Sequence, residues 1–239
     1  MKARALLDEG RLTEAIESLG VELRSNPADA QRRAFLFELL CFAGEYDRAE
    51  KHLDVLAGAG EKAAMGSLLY KSALHAERIR QRMFDNGDFP HHTSEQLPPV
   101  TGTFNGRPFK TLTDADPRIG PRLELFAAGQ YTWLPLASVA TVRMGPPQKL
   151  RDLLWAPAKI LTAQGFKGQD LGEVLIPVLA PRSGESDDPA VRLGRATEWV
   201  RWGDGTEAPL GQKLFLVDGE EVPILELREL VITPADTAA

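Results

Sequence analysis

The chain has 239 residues, of which 43% are hydrophobic and 26% charged, values typical of a folded globular protein rather than a disordered one. Lys and Arg number 28 against 34 Asp and Glu, so the net charge is −6 and a nucleic-acid partner is not expected. The first residues are charged, and no apolar run approaches the roughly 18 residues that span a bilayer. We therefore expect a cytoplasmic protein that does not contact membranes.

Proline divides the sequence into two parts. Only Pro27 precedes residue 90, whereas the other prolines of the 17 fall between Pro90 and Pro234. Because a proline inside a helix costs about 3 kcal/mol, long helices are favoured in the first part and disfavoured in the second. We predict a helical domain at 1–86, a linker at 87–99 and a mainly β domain at 100–239, which together make an α+β fold.

The helical part repeats with a period of 34 residues. A shift by that length aligns Leu6 with Leu40, Gly10 with Gly44, Leu12 with Tyr46, Ala15 with Ala49 and Leu19 with Leu53. This is the length of the tetratricopeptide unit, a hairpin of two helices whose apolar face is buried when the next hairpin stacks on it. Gly10 and Gly44 are expected to end the first helix of each hairpin in a left-handed conformation. An incomplete third hairpin is predicted at 61–83, where Arg78 replaces the glycine.

Stacked hairpins leave a concave groove that can hold an amphipathic helix of a partner protein. In the second repeat, the repeat geometry turns four residues toward this groove: Gln31, Ala34, Glu38 and Cys41. Three buried anchors would contribute about 5–9 kcal/mol against an association cost of about 4–15 kcal/mol, which predicts micromolar or weaker affinity. Ordinary helix surface or core is the alternative for these positions, and the convex side or the second domain could bind the partner instead.

The second part carries the signals of short antiparallel strands. FNGRPF at 104–109 places Asn-Gly between apolar flanks, a strong hairpin signal because both turn residues must tolerate positive φ. Asp218-Gly219 predicts another turn. Further strands are predicted at 122–127, 131–136, 138–144, 159–163, 173–179, 197–202, 213–217 and 222–227, with short helices at 148–155 and 189–194. Strands at this spacing are typical of a meander that closes into a barrel-like or sandwich domain.

Five blocks of the second part, in this order, resemble one known family: DADPRIGP at 114–121, GQYTWLP at 129–135, LRDLLWAP at 150–157, TEW at 197–199 and LGQK at 210–213. The family is ImpE, also called TagJ or SciE, an accessory component of bacterial type VI secretion. The resemblance extends over nearly the whole chain and implies a short tetratricopeptide-like part followed by an α+β domain. It marks ten residues as surface or structural positions of the family pattern: Asp114, Asp116, Arg118, Tyr131, Trp133, Arg151, Asp152, Trp155, Glu198 and Trp199.

The resemblance also implies a function. Members of the family look like adaptors without enzymatic activity, and some have the N-terminal helix of the small contractile-sheath subunit, TssB, as a partner. Because the AAA+ ATPase ClpV dismantles the sheath, the resemblance implies a role in sheath handling or recycling, with ClpV as an indirect partner. No cofactor is expected. A tetratricopeptide adaptor unrelated to secretion is the alternative within the class of binding proteins.

Asp114 and Asp116 offer an enzymatic alternative, because an Asp-x-Asp pair can hold a divalent cation opposite a phosphate-bearing substrate. A metal-dependent hydrolase or transferase would use this pair. Hard divalent cations, however, are coordinated by about six oxygen ligands. In addition, Pro117 with Arg118 continues the segment as a turn. Arg118 and Arg151 could each bind a carboxylate with two hydrogen bonds. We favour a structural turn, with a recognition surface and a metal site as alternatives.

The remaining candidates carry weaker signals. His91-His92 lies among prolines without a carboxylate or cysteine at ligand spacing, so we interpret it as a solvated loop. Cys41 is the one cysteine, which excludes an internal disulfide, and is expected to be a small buried or half-buried hydrophobe. The sequence lacks the glycine-rich phosphate loops and the serine elbow of common enzymes. Trp199 and Trp202, three apart on a predicted strand, are expected on opposite faces.

Overall fold

The computed structural model describes residues 2–89, 97–163, 170–203 and 205–233, so His91-His92 lies outside the described residues. Within these ranges the first part folds into five helices: α1 (Lys2–Asp8), α2 (Leu12–Ser25), α3 (Ala30–Phe42), α4 (Tyr46–Ala57) and α5 (Glu61–Asn86). α1 with α2 and α3 with α4 form two hairpins. Gly10 and Gly44 lie in their turns with φ of 83° and 72°, which confirms the predicted left-handed helix ends.

Each hairpin buries the apolar face that the 34-residue period predicts. Tyr46 is partly buried, and the other seven aligned apolar positions are buried: Leu6, Leu12, Ala15, Leu19, Leu40, Ala49 and Leu53. Asp29 begins α3, since its side chain accepts a hydrogen bond from the Arg32 N–H at 2.9 Å and so satisfies a free donor of the first turn. The first part therefore consists of two helix hairpins followed by α5.

α5 is longer than the predicted half-hairpin and does not turn back on itself. It runs for 26 residues and ends at Asn86, where Gly87 has a φ of 67° and donates its N–H to the Met83 carbonyl. Arg78, at the position of the glycine in the first two repeats, continues the helix. The described residues between α5 and the first strand contain no further helix. The third repeat thus has a first helix that continues directly toward the β part.

The second part, as far as the structure describes it, has thirteen strands and a short helix, α6 (Pro189–Arg192). The strands are β1 (Thr101–Phe104), β2 (Arg107–Phe109), β3 (Leu112–Asp114), β4 (Arg122–Ala127), β5 (Gln130–Pro135), β6 (Val139–Met144), β7 (Trp155–Thr162), β8 (Asp170–Pro177), β9 (Thr197–Arg201), β10 (Glu207–Gly211), β11 (Leu214–Val217), β12 (Glu220–Pro223) and β13 (Glu229–Thr233). The main antiparallel sheet has the order β2-β1-β13-β6-β7-β8-β4-β5, beside a sheet β12-β11-β3 and a pair β9-β10. The α+β fold is confirmed.

Both predicted tight turns are confirmed. Asn105-Gly106, with φ of 52° and 79°, joins β1 to β2, and Asp218-Gly219, with φ of 51° and 85°, joins β11 to β12. Positive φ at both central residues matches the right-handed twist of the two strands that each turn connects. The Asp218 side chain also accepts hydrogen bonds from the N–H groups of Lys110 and Thr111, both at 2.8 Å, and so connects the β11–β12 turn to the segment between β2 and β3.

Several predicted boundaries were wrong. The helix predicted at 148–155 is a 3₁₀ helix at Leu150–Leu153, and Trp155 already begins β7. Trp155 and the following residue are buried and pair with β8, so tertiary packing overrides the local helix signal. The strands β3, β10 and β13 were not among those predicted. The main sheet remains open, with β2 and β5 as its edges, so the predicted barrel-like closure fits only loosely.

The helical and β parts share one hydrophobic core. Phe126, Leu154, Trp155 and Leu193 from the second part are buried in the same cluster as the helix residues. A second cluster fills the sheet itself and includes Leu123 and Leu125 of β4. β4 therefore contributes to both cores, one on each of its faces.

None of the described helices combines the length and the apolar character that crossing a bilayer requires.

Candidate functional site between the helices and the sheet

β4 and α5 bring oppositely charged side chains together inside the molecule. On β4, alternate residues point to opposite faces, so Glu124 faces the helices while its neighbours fill the sheet. Arg80 of α5 donates hydrogen bonds from Nε to Glu124 Oε1 at 2.8 Å and from NH2 to Oε2 at 3.1 Å. Both side chains are almost fully buried. This bidentate geometry is the strongest form of an arginine–carboxylate pair.

A lysine and a second carboxylate complete the buried cluster from the sheet side. Lys213, immediately before β11, places Nζ 2.6 Å from Asp114 Oδ2 and also contacts Glu124. Arg80 and Lys213 therefore both pair with Glu124. Glu124 belongs to the main sheet, and Asp114 belongs to the sheet β12-β11-β3. Tyr131 of β5 donates its hydroxyl to Glu124, and burial together with the Glu124 charge raises the pKa of this phenol, so the proton stays on it. We call Arg80, Glu124, Lys213, Asp114 and Glu77 the ion cluster.

Glu77 joins the ion cluster to the rest of the interface. It lies one turn before Arg80 on α5 and accepts a hydrogen bond from Arg80 NH1 at 3.1 Å. Gln81 donates to this same oxygen, Oε1, at 2.6 Å, and the other oxygen, Oε2, accepts from the Trp155 indole N–H at 3.0 Å. Arg80 also donates to the Leu179 carbonyl at 3.0 Å. α5 is thereby hydrogen-bonded to β4, β7 and the segment after β8.

Burial and pairing pull the pKa values of the two central carboxylates apart. Burial raises the pKa of Asp114 to about 6, against the opposing effect of Lys213 and with a further contribution from the nearby Glu124 charge. Burial acts on Glu124 in the same direction, but Arg80 and Lys213 outweigh it and lower the pKa of Glu124 to about 2. Glu124 therefore stays ionised and pairs with both Arg80 and Lys213.

Asp116 and Arg118 form a second paired unit beside the ion cluster. Asp116 Oδ1 accepts from the Arg118 backbone N–H at 3.0 Å, while Arg118 NH2 donates to Oδ2 at 2.7 Å. The guanidinium lies over the rings of Phe84 at 4.8 Å and Trp202 at 5.1 Å, and Arg182 covers Trp202 at 4.8 Å. The DADPRIGP segment is therefore a turn fixed by its own side chains, in agreement with the structural interpretation.

The structure covers part of the groove that the repeat geometry predicts. Glu38 and Cys41 are buried, because the 3₁₀ helix and β7 of the second part pack against α3 and α5. Arg151 places Nε 3.2 Å from Glu38 Oε1 and its guanidinium 4.8 Å from the Tyr70 ring centre. The expectation of an open groove is wrong at these two positions.

Gln31 and Ala34, nearer the start of α3, are exposed and half-buried, respectively. What remains open between the helices and the second part is a cavity of about 290 Å³, lined by Cys41, Arg80, Gln81, Trp155, Arg182 and Ser183 among others.

The other residues of the family pattern contact side chains and backbone groups of the same chain. Asp152 accepts from the N–H groups of Gln148 and Lys149, at 2.8 and 2.9 Å, and begins the 3₁₀ helix. Trp133 is buried, and its ring centre lies 5.9 Å from that of Phe84 and 5.6 Å from that of Phe89. Glu198 accepts from the Ser186 hydroxyl at 2.8 Å, and Trp199, which is 42% exposed, donates to Glu221 at 3.2 Å.

Comparison with known proteins identifies the family. Residues 106–231, more than half of the chain, match the family model described as ImpE protein. The chain belongs to the ImpE family. It is 33% identical over 268 aligned positions to the type VI secretion system accessory component TagJ of Pseudomonas aeruginosa, with 99% of this chain and 92% of that protein covered.

A solved structure shares the whole fold of this ImpE-family chain. The X-ray crystal structure of a protein from Vibrio parahaemolyticus superposes with a TM-score of 0.86 at 23% identity, and the alignment covers 100% of both chains. At this level of identity the similarity concerns the fold alone.

Sequence reasoning missed three members of the ion cluster in this ImpE-family chain: Arg80, Glu77 and Glu124. A usable signal existed for Glu124, because it is a charged residue between Leu123 and Leu125 in the strand RLELFA at 122–127. Lys213 belongs to the LGQK block, which indicated no role for its side chain. Glu77 and Arg80 carry no local signal, since an acidic and a basic residue three apart are typical of a solvated helix face.

The hairpin turns of the helical stack form a second contact with the β part. Arg195 donates to the carbonyls of Leu7 and Asp8, at 2.8 and 3.0 Å, at the end of α1, where the Leu7 carbonyl also accepts the Gly10 N–H. Gly184 lies against the α3–α4 turn so closely that a Cβ there would meet the backbone of Ala43 and Gly44 at 3.2 Å. These contacts fix the orientation of the helices at points remote from the ion cluster.

Proposed function

We propose that this chain is an accessory component of a bacterial type VI secretion system that acts by binding other proteins rather than by catalysis. One observation carries the proposal: the similarity to TagJ of Pseudomonas aeruginosa, named as such a component, extends over 99% of this chain. The helical stack supports a binding role, because stacked hairpins offer extended surfaces for other proteins. A site of action in the cytoplasm, where sheath subunits would be met, belongs to the same proposal.

The proposed partner is the small subunit of the contractile sheath, engaged through its N-terminal helix. In this proposal the chain assists handling of the sheath or its recycling by a ClpV-type ATPase, which it meets only indirectly. The support is the family resemblance together with the tetratricopeptide-like architecture. Gln31 and Ala34 remain candidates for contact with the partner, whereas Glu38 and Cys41 are covered by the second part of the chain. A tetratricopeptide adaptor unrelated to secretion is the alternative.

The contacts of Asp114 and Asp116 favour binding over metal-dependent catalysis. The carboxylate of Asp114 is paired with Lys213, and that of Asp116 with Arg118. A divalent cation would have to displace both ammonium and guanidinium groups from a buried position. Calorimetric titration with Mg²⁺, Ca²⁺ and Mn²⁺ tests the point: we expect no binding heat, and heat that disappears in Asp116→Asn would revive the hydrolase or transferase alternative.

A direct binding experiment tests the proposed function. The purified full chain is titrated into the purified small sheath subunit of the same bacterium, once intact and once without its N-terminal helix. We expect micromolar or weaker binding by the intact subunit and none by the shortened one. Presentation of many subunits on one sheath would strengthen the apparent affinity. Equal binding by the shortened subunit would refute recognition through that helix.

A further inference from the structure

A groove on the helical part is lined by three arginines. α2 and α4 each pack against α3, and a groove of about 470 Å³ lies between α2, the beginning of α4 and α6. Arg24 of α2, Arg48 of α4 and Arg192 of α6 contribute to its walls. Gly20, also in the lining, has no side chain, and a Cβ there would meet no atom within 4 Å. We call this the arginine groove.

The fold holds the backbone of Arg192 in place beside the arginine groove. Pro189, which begins α6, lies against the α1–α2 turn, since its Cβ is 3.3 Å from the Cβ position of Gly10. Val191 and Leu193, on either side of Arg192, are both buried, and Leu193 belongs to the core of the helical part. The Arg192 side chain therefore starts from a fixed point and extends into the wall of the groove.

The guanidinium of Arg192 has no partner in the part of the chain that the structure describes. Its Nε is shielded from solvent without a hydrogen bond, and no described carboxylate forms an ion pair with the side chain. Two nearby arginines differ, because Arg48 pairs with Glu45, and Arg195 donates to carbonyls at the end of α1. A shielded N–H of a charged group is costly when it is unpaired. Because no internal bond holds the guanidinium, it can turn its N–H groups toward an acceptor in the groove.

The charges around the arginine groove favour a ligand with a single negative charge. Glu17 and Glu45 line it together with the three arginines, which leaves an excess of one positive charge. Glu45 is paired with Arg48, whereas Glu17 forms no ion pair with the residues that the structure describes. A phosphate group carries about 1.5–2 negative charges at neutral pH, so Glu17 repels it more strongly than it repels a carboxylate. A carboxylate therefore fits the groove better than a phosphate group.

The shape of the arginine groove favours a carboxylate that belongs to a protein. Sites for small molecules enclose most of the surface of the ligand. This groove lies on the outside of two helices, and Val21 in its lining is 54% exposed. A free acid would leave this apolar contact unused, whereas an acidic side chain with an apolar neighbour uses both the arginines and Val21.

We propose that the arginine groove binds an Asp or Glu side chain of another protein, with the carboxylate held by Arg192 and Arg24 and an adjacent apolar side chain packed on Val21. The paired N–H groups of arginine match the two oxygens of a carboxylate, and such charge-assisted hydrogen bonds are the strong ones. The arginine groove is lined by other residues than Gln31 and Ala34, so this site adds to the proposed function and does not depend on it.

Nuclear magnetic resonance of the full chain tests the site with two short peptides. The probes are acetyl-Leu-Glu-Leu-amide and the same peptide with Gln in place of Glu, each added at about 0.15 M salt. The signals followed are the Val21 backbone N–H and the Arg192 Nε–H, the second identified by its loss in Arg192→Lys. We expect both signals to shift and to saturate with a millimolar dissociation constant for the Glu peptide, and at least fivefold weaker binding of the Gln peptide.

Two variants of opposite charge effect sharpen the test, with the Val21 signal as the readout. Arg192→Gln should weaken binding of the Glu peptide at least fivefold. Glu17→Gln should strengthen it about two- to fivefold, because an exposed like charge is removed from the groove. The control is Arg201→Gln on β9, whose side chain is 72% exposed and which should bind within twofold of wild type.

The results that would overturn the proposal are distinct. Shifts that grow without saturation, or that are equal for the two peptides, reduce the effect to non-specific attraction. Tighter binding of inorganic phosphate than of the Glu peptide assigns the groove to a phosphate ligand instead. Unchanged or weaker binding by Glu17→Gln also contradicts the proposal, even where Arg192→Gln does not fold. Because no sheath subunit is present, none of these results bears on the proposed sheath partner.

Discussion

The two halves of α5 reverse the usual relation between polarity and burial. The second half, from Ala73 to Asn86, contains Glu77 and Arg80, and both are buried against the sheet. The first half contains Met65 and Leu68, and both are exposed. The difference shows that the partners available to each half, rather than its own polarity, decide what is buried. In α5, the charged groups are buried where counter-charges lie opposite them, and the apolar groups stay in water where no described element of the chain packs against them.

The buried half defines a unique arrangement of helices and sheet. A hydrophobic interface of similar size could slide by a turn, whereas the bidentate pair of Arg80 and Glu124 is made at one register only. Replacing a buried ion pair by apolar residues is often neutral for stability, while removing one partner is costly. The ion cluster therefore contributes orientation more than net stability.

Neutralising Glu124 should have the largest effect. Glu124→Gln leaves Arg80 and Lys213 buried with a single nearby counter-charge each, and we expect a loss of about 3–5 kcal/mol in the free energy of unfolding. Urea unfolding monitored by circular dichroism measures it. The control is Glu229→Gln, which breaks the exposed Arg143–Glu229 pair and should cost less than about 1 kcal/mol. Equal losses in the two variants would show that the ion cluster is not held as described.

The pH dependence of stability should depend on Asp114. Its pKa is raised to about 6 in the folded protein, against about 3.9 in an unfolded chain, so the folded state holds a proton that the unfolded state releases between about pH 4 and 6. The free energy of unfolding should therefore fall as pH rises through this window. Asp114→Asn should remove this fall, which amounts to on the order of 2–3 kcal/mol.

Glu124 produces the opposite slope in a lower pH range. Its pKa is lowered to about 2, so its contribution is complete above about pH 4.3 and is lost as the pH falls toward 2. Urea titrations of the wild type and Asp114→Asn at pH 5, 6 and 7 therefore exclude Glu124, and the difference between the two proteins reports Asp114. If the wild-type and Asp114→Asn stabilities change in parallel across these values, the raised pKa is not present in the folded protein.

A smaller effect should follow from an added methyl group at the hairpin contact. Gly184→Ala places a Cβ 3.2 Å from the backbone of Ala43 and Gly44, which cannot move aside as a side chain would. We expect a loss of about 1–3 kcal/mol, typical of overpacking. Thermal unfolding measures the change. Unchanged stability would mean that the 3₁₀ turn at Ser183–Glu185 does not pack on the helices as tightly as the structure shows.

The smallest predicted effect is a gain in the exposed half of α5. Gly66 lies within the helix, and a Cβ there meets no atom within 4 Å. Gly66→Ala should therefore stabilise the protein by about 0.5–1 kcal/mol, because alanine loses less backbone entropy in a helix than glycine does. The measurement is the urea midpoint at constant slope. A loss of stability would indicate that this half of α5 is covered in the free protein.

The local elements were largely predictable from the sequence, and their long-range partners were not. The period of 34 residues and the Asn-Gly and Asp-Gly turns are local signals, and they identified the hairpins of both parts. The burial of Glu38 and Cys41 depends on Arg151 and Trp155, more than a hundred residues away, and repeat geometry contains no information about them. The ion cluster was hidden for the same reason, since Arg80 and Glu124 are 44 residues apart.

The contact between Arg195 and α1 has a consequence for biosynthesis. α1 has seven residues, fewer than the roughly 12 that an isolated helix needs, and its last carbonyls are bound by a side chain that follows 187 residues later. At about 5–20 residues per second, a ribosome needs roughly 10–40 s to reach that arginine. The hydrogen bonds from Arg195 to the end of α1 therefore form only when translation is nearly complete, long after the helices that pack against α1 have been synthesised.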